Sequence, residues 1–174
     1  ADPVVVDEFQ LKSRVSGVPG IKRESIFHAL NQKAVARRYA KSIGKKYEEL
    51  NLIVVHLGGG ISVGAHRKGL VIDVNNALNG EGPISPERAG TVPSEALATL
   101  CFSGKYTLNE VKKMLHGKAG LAAYLGTSDM ITIEEKAIEG KEPYKTLVAA
   151  MDYTVAKEIG AMFVALKGQC DAII

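Results

Sequence analysis

The sequence predicts an α/β fold on a mixed sheet: three sequential antiparallel strands, then helices, then one further strand. Three observations predict it. Leu52–Val55 is a continuous apolar run, the pattern of a strand buried on both faces. Beyond it, "ISVGAHRKGLVIDV" alternates with a period of two and breaks once, at Arg67–Gly69, as two hairpin-linked strands would. After Pro93 apolar residues recur at helical spacing nearly to the end, where "DAII" returns to a strand pattern.

Taken in order, "ADPVVV" is a short strand-like run, and Gly17, Pro19 and Gly20 mark a loop in "RVSGVPGIKRES". Val35, Ala36, Tyr39, Ala40 and Ile43 form one helical stripe, with Gly44 as its stop and Asn31 as a candidate N-cap. Ile61, Val63 and Ala65 face one side of the second strand, Ser62, Gly64 and His66 the other; Leu70, Ile72 and Val74 alternate likewise with Val71, Asp73 and Asn75. "VPSEALATLC" reads as a short helix. Thr107 with Glu110 and Thr132 with Glu135 have capping-box spacing. The longest helix is predicted from about Tyr144 to Lys167, with Leu147, Met151, Val155, Ile159, Met162 and Leu166 as its apolar stripe and Gly168 ending it.

Composition narrows the function classes. A chain of 174 residues suits one ordinary domain with a core, and 46% hydrophobic with 24% charged residues is average for a globular protein. Aromatic residues are 6% with no Trp, and the net charge of +3 is dispersed, which argues against a nucleic-acid partner. Arg37, Arg38, Lys45 and Lys46 read as the solvated side of a helix. Cys101 and Cys170 have no CxxC and no His at metal-ligand spacing, so they read as reduced, mostly buried thiols of a cytoplasmic protein. No apolar run reaches membrane-spanning length, so no membrane partner is expected. The chain starts without Met and stops inside a strand pattern, and is expected to be a piece of a longer protein.

Three stretches carry candidate chemistry. The first is "HLGGGISVG", where Gly58, Gly59 and Gly60 follow a strand and precede an antiparallel return. A P-loop needs a terminal Lys-Ser/Thr that is absent, and a dinucleotide fingerprint must open a helix rather than a strand. Two readings remain: a tight bulged hairpin, or a nest of glycine N–H groups for an anion, with His56 at the strand end beside it. The second is "NNALNGEGPISPERAGTVP", a long Gly/Pro connection that holds Arg88, either a solvated charge or a delivered guanidinium. In the third, "SIFHALNQ", His28 immediately precedes a helix and is either a satisfied core histidine or a polar site residue.

Together, "SIFHALNQKAVARRYA", "HLGGGISVGAH", "VIDVNNALNGEGPISPERAGT", "GLAAYLGTSD" and "VAKEIGAM" resemble the acetate kinase family, and more closely its butyrate kinase branch. "PERAGTVP" lacks the Thr before the arginine and the downstream Asp-Pro of acetate kinases, which also points to the butyrate-type branch. The resemblance implies the actin, sugar-kinase and chaperone-ATPase fold. Residues 1–48 would be the end of a first ribonuclease-H-like lobe and a crossover helix, and residues 49–174 most of the second lobe, cut at its last strand.

The implied reaction is butyrate + ATP = butyryl phosphate + ADP, reversible, with Mg²⁺. The partners are nucleotide and butyrate or isobutyrate, in a homo-oligomer. An acetate, propionate or branched-chain acid kinase, or a non-catalytic actin-like nucleotide-binding domain, are the alternatives. By the same resemblance Arg88 is the catalytic arginine and His28 the histidine at the phosphoryl site. His56 leads into a phosphate loop whose donors are Gly58, Gly59 and Gly60. Asn31 is a polar neighbour, and Asp2 aligns with an aspartate near magnesium.

Overall fold

The computed structural model describes residues 12–24 and 26–174, so Asp2 and the "ADPVVV" run lie outside the described residues. Strands β1 (Asn51–His56), β2 (Ser62–Arg67) and β3 (Leu70–Val74) pair antiparallel in sequence. β4 (Ala172–Ile173) adds parallel to β1, giving the order β3-β2-β1-β4. The mixed sheet is as predicted. Lys68 (φ 50°) and Gly69 (φ 86°) are both left-handed, the two-residue turn that matches strand twist between β2 and β3. β4 is anchored at its start by the Asp171 carboxylate, which accepts from Asn51 N at 2.7 Å.

By contacts the chain divides into two compact units. The first runs to Leu57 and includes Ser62–Asn76 and Lys157–Ile174; the second comprises Gly58–Ile61 and Ala77–Ala156. In the first, helix α1 (Ala29–Ser42) and a 3₁₀ turn at Tyr47–Glu49 contribute to a core of Ala36, Ala40, Tyr47, Leu50, Leu52 and Val54. A second cluster joins Phe27 and Ala29 to Val71 and Val74 of β3. Removing each of the Leu, Val and Phe side chains among these from water contributes about 1.5–3 kcal/mol.

Two expectations for α1 are corrected. His28, not Asn31, holds the N-cap position, and Asn31 lies inside the first turn. Ile43 is 44% exposed, and the buried stripe is Ala29, Gln32, Ala36 and Ala40. A polar residue completes that stripe because Gln32 finds partners on β2, as described below. Ser62, Val63, Gly64, Ala65 and His66 are all buried, so β2 is covered on both faces, polar residues included.

The second unit is helical: α2 (Ser94–Cys101), α3 (Leu108–Leu115), α4 (Gly120–Leu125), α5 (Met130–Ile138) and the first part of α6 (Tyr144–Ala165), whose remainder belongs to the first unit. Val111, Leu121, Ile133 and Met151 are its buried apolar residues on α3, α4, α5 and α6. The Thr107 capping box forms, with Glu110 Oε2 accepting from Thr107 N at 2.8 Å. The Thr132 box does not. Asp129 caps α5, its carboxylate accepting from Ile131 N at 3.2 Å and from the Thr132 hydroxyl at 2.6 Å. A carboxylate at a helix N-terminus also meets the positive end of the helix dipole, which a hydroxyl does less well. The expectation of two mostly buried thiols is corrected: Cys101 ends α2, a helix with no buried residue, and is exposed, while Cys170 is half-buried. Among the described residues no helix is long and apolar enough to cross a membrane.

Candidate functional site

The glycine turn owes its composition to close approach rather than to positive φ. A Cβ on Gly60 would stand 2.9 Å from the Ala77 carbonyl oxygen and 3.5 Å from Arg88 Nε; one on Gly59 would stand 3.1 Å from Glu87 Oε2. The long Pro/Gly connection is folded against this turn. The Gly59 carbonyl accepts from Ser85 Oγ at 2.6 Å and from Glu87 N at 3.2 Å, which fixes the orientation of that peptide. The Arg88 backbone is held in turn: its N donates to Ser85 Oγ at 3.0 Å and its carbonyl accepts from Ser85 N at 3.2 Å.

Three further bonds pin the segment, Gly117 N to Glu87 O, Leu121 N to Ser85 O and Ala122 N to Pro86 O, at 2.9, 3.1 and 2.9 Å. The close packing depends on Gly120. Its φ is +61°, and a Cβ there would collide with the Ser85 and Arg88 backbones. What this scaffold presents is one guanidinium. Arg88 Nε is buried and has no hydrogen-bond partner among the described residues. A buried donor left unmade costs about 1–3 kcal/mol, so a site that keeps one is suited to an acceptor that arrives from outside. For a planar cationic fork, that acceptor is an oxyanion.

His28 and His56 lie together in the first unit. The His28 and His56 rings stack at 3.7 Å between centroids, 14° from parallel. Asn31 Oδ1 lies 2.9 Å from His56 Nδ1, so that nitrogen carries the proton and donates. Burial lowers the His56 pKa. His28 Nδ1 lies 2.9 Å from Ser62 Oγ. Behind His28 runs a buried polar set that the sequence reading passed over: Ser62, Gln32, His66 and Tyr47. Its signal was present in the sequence, as a glutamine in line with Ala36 and Ala40 and as Ser62 and His66 on one alternating face of a strand.

The structure thus brings Arg88 to Gly60, and His28 to His56 and Asn31. Glu87 was also missed; its carboxylate stands at Gly59 and accepts from Ser128 Oγ at 3.1 Å. Among the described residues no group of three or more His, Cys, Asp or Glu side chains is placed to hold a metal ion.

The fold is the actin-like ATPase fold of the acetate kinases. Acetate kinase from Porphyromonas gingivalis superposes with a TM-score of 0.82 at 24% identity, over 92% of this chain and 42% of that one. A propionate kinase from Francisella tularensis gives 0.77 at 23% identity, over 99% and 43%. The chain belongs to the acetokinase family, whose sequence profile it matches over residues 7–174. It is 71% identical over 174 residues to a probable butyrate kinase of Phocaeicola vulgatus, and 60% identical over 173 residues to butyrate kinase 1 of Clostridium acetobutylicum. The chain covers 49% of each of these relatives, so it spans about half the length of the curated proteins it matches.

Proposed function

We propose that the full-length protein is a carboxylate kinase that makes butyryl phosphate and ADP from butyrate and ATP, reversibly. One observation carries this reading: the buried Nε of Arg88, held against the glycine turn with no hydrogen-bond partner among the described residues. The names of the two butyrate kinase relatives support the choice of acid. In this reading residues 1–48 close a first lobe, residues 49–174 supply most of a second, and the protein works as a homo-oligomer in the cytoplasm.

The chemistry suits a site built from cations and N–H donors. A carboxylate nucleophile is already ionised at neutral pH, so no general base is required. What limits the reaction is the approach of one anion to another and the charge on the oxygens of the group in flight. Arg88 neutralises that charge with its planar fork. The N–H groups of Gly58, Gly59 and Gly60 cradle phosphate oxygens, and the bonds to the Gly59 carbonyl hold that strip of backbone in place before substrate arrives. His28 donates a hydrogen bond to the transferring phosphoryl group. His56, with Asn31 fixing its ring, serves the nucleotide phosphates. Magnesium bound with ATP would neutralise phosphate charge.

The test is a panel of straight and branched acids of increasing length, assayed with ATP and Mg²⁺ on the full-length protein by ADP release and by trapping of the acyl phosphate. The reading predicts the highest kcat/KM for butyrate and isobutyrate. Nucleotide binding with no carboxylate-dependent ADP release would identify a non-catalytic domain instead.

A further inference from the structure

Behind His28 lies an unbroken line of hydrogen bonds, every member of it in the first unit. Tyr47 Oη is 2.6 Å from His66 Nδ1, and His66 Nε2 is 2.9 Å from Gln32 Oε1. Gln32 Nε2 is 2.9 Å from Ser62 Oγ, and Ser62 Oγ is 2.9 Å from His28 Nδ1. Gln32, Ser62 and His66 are fully buried and Tyr47 is 3% exposed. In such a place each proton needs an acceptor, so the direction of every bond can be worked out.

The amide of Gln32 settles the order. Its Nε2 also reaches the Ser62 carbonyl oxygen, at 3.2 Å, and a carbonyl only accepts. The NH₂ end therefore faces Ser62, and Oε1 accepts from His66 Nε2–H. Burial pushes the His66 pKa down to about 3, so the ring is neutral with a single N–H, and its Nδ1 must accept. The partner there is the Tyr47 hydroxyl, whose pKa burial pushes up to about 12, so it keeps the proton it donates. At the other end Ser62 Oγ accepts from Gln32 and has its own proton left to place. Its bonds are to Gln32 and His28, and a buried hydroxyl proton with no acceptor is costly. Ser62 therefore donates to His28 Nδ1.

We propose that Tyr47, His66, Gln32 and Ser62 form a one-way hydrogen-bond relay that holds His28 as its Nε2–H tautomer, so that the ring acts on a phosphoryl oxygen as a donor through Nε2. The inference rests on the reading above in which His28 donates to the transferring group. The four are positioning residues: they act through His28. Two features of the fold serve the relay. Gln32 occupies a place in the buried stripe of α1 that an apolar residue would otherwise fill. Gly64, between Ser62 and His66, leaves room for the amide, since a Cβ there would collide with Gln32 Oε1 and stand 3.1 Å from His66 Nε2.

The test is long-range ¹H–¹⁵N correlation on the imidazoles of the full-length protein at neutral pH, which distinguishes a protonated from a bare ring nitrogen. The relay predicts bare Nδ1 and protonated Nε2 on both His28 and His66. A protonated Nδ1 on His28 would overturn it, and this outcome needs no variant to fold. Ser62→Ala should mix the two His28 tautomers and lower kcat about tenfold, the loss of one hydrogen bond, with KM for ATP unchanged. A Ser62→Ala protein that keeps a single Nε2–H tautomer and full kcat would also overturn it. His28→Ala separates the two claims. Unchanged kcat there would refute the catalytic reading of His28, whereas a lowered kcat combined with the wrong tautomer would refute the relay alone.

Discussion

Acidification from neutral pH to about pH 5 is predicted to destabilise this protein measurably through one side chain, His66. The ring is fully buried between Tyr47 and Gln32, and burial moves its pKa from the ordinary 6.5 to about 3, with the positive charge of Lys33 adding to the shift. In the unfolded chain the ordinary value returns. Between the two values the unfolded state takes up a proton that the folded state refuses, so stability is intact above pH 6.5 and falls as pH drops below it, levelling near pH 3. Each pH unit inside that window costs about 1.4 kcal/mol, so His66 alone removes about 2 kcal/mol by pH 5 and about 3 kcal/mol by pH 4. Against a typical stability of about 5–15 kcal/mol this is a large share. Urea unfolding of wild type and His66→Gln at about pH 7.5 and pH 5 measures it. The glutamine keeps a polar group without titrating, so its pH dependence should be shallower by about 2 kcal/mol over that span. Equal slopes in the two proteins would refute the argument.

Other expectations follow from the same geometry. Gly60→Ala puts a methyl 2.9 Å from a backbone oxygen beside Arg88, and should lower carboxylate-dependent ADP release at least tenfold, read from kcat. Gly120→Ala must accept a φ of +61° and displace the Arg88 segment; thermal unfolding should show a loss of about 3 kcal/mol or more. Thr107→Ala removes the α3 cap and should cost about 1 kcal/mol of stability by urea unfolding, with kcat unchanged. The 174 residues on their own should release no butyrate-dependent ADP, since the chain spans about half the length of its relatives.

The meander β1–β3 was legible because alternation and a single turn signal carry it, and the parallel β4 because an isolated apolar run follows a glycine stop. The start of α1 was not, because "FHALNQ" offers both a histidine and an asparagine as caps, and the histidine takes the position while Asn31 bonds to His56. Asp129 displaced Thr132 as a cap for a similar reason: two residue types suited to the role stood three positions apart. In the site, glycines and a loop arginine are conspicuous at the level of residue type, and the structure places Arg88 against Gly60. The polar set behind His28 left only a faint signal, because Gln32 counts as polar in a helical pattern and as buried only once Ser62 and His66 are seen opposite it.

The central claim is that the Arg88 guanidinium stabilises a phosphoryl group in flight, and steady-state kinetics of Arg88→Ala in the full-length protein test it most directly. With butyrate, ATP and Mg²⁺, the account predicts that kcat falls roughly 100- to 10,000-fold, the scale of losing an electrostatic stabiliser of phosphoryl transfer, in a protein with unchanged unfolding behaviour. A folded variant that forms butyryl phosphate at the wild-type rate would contradict it.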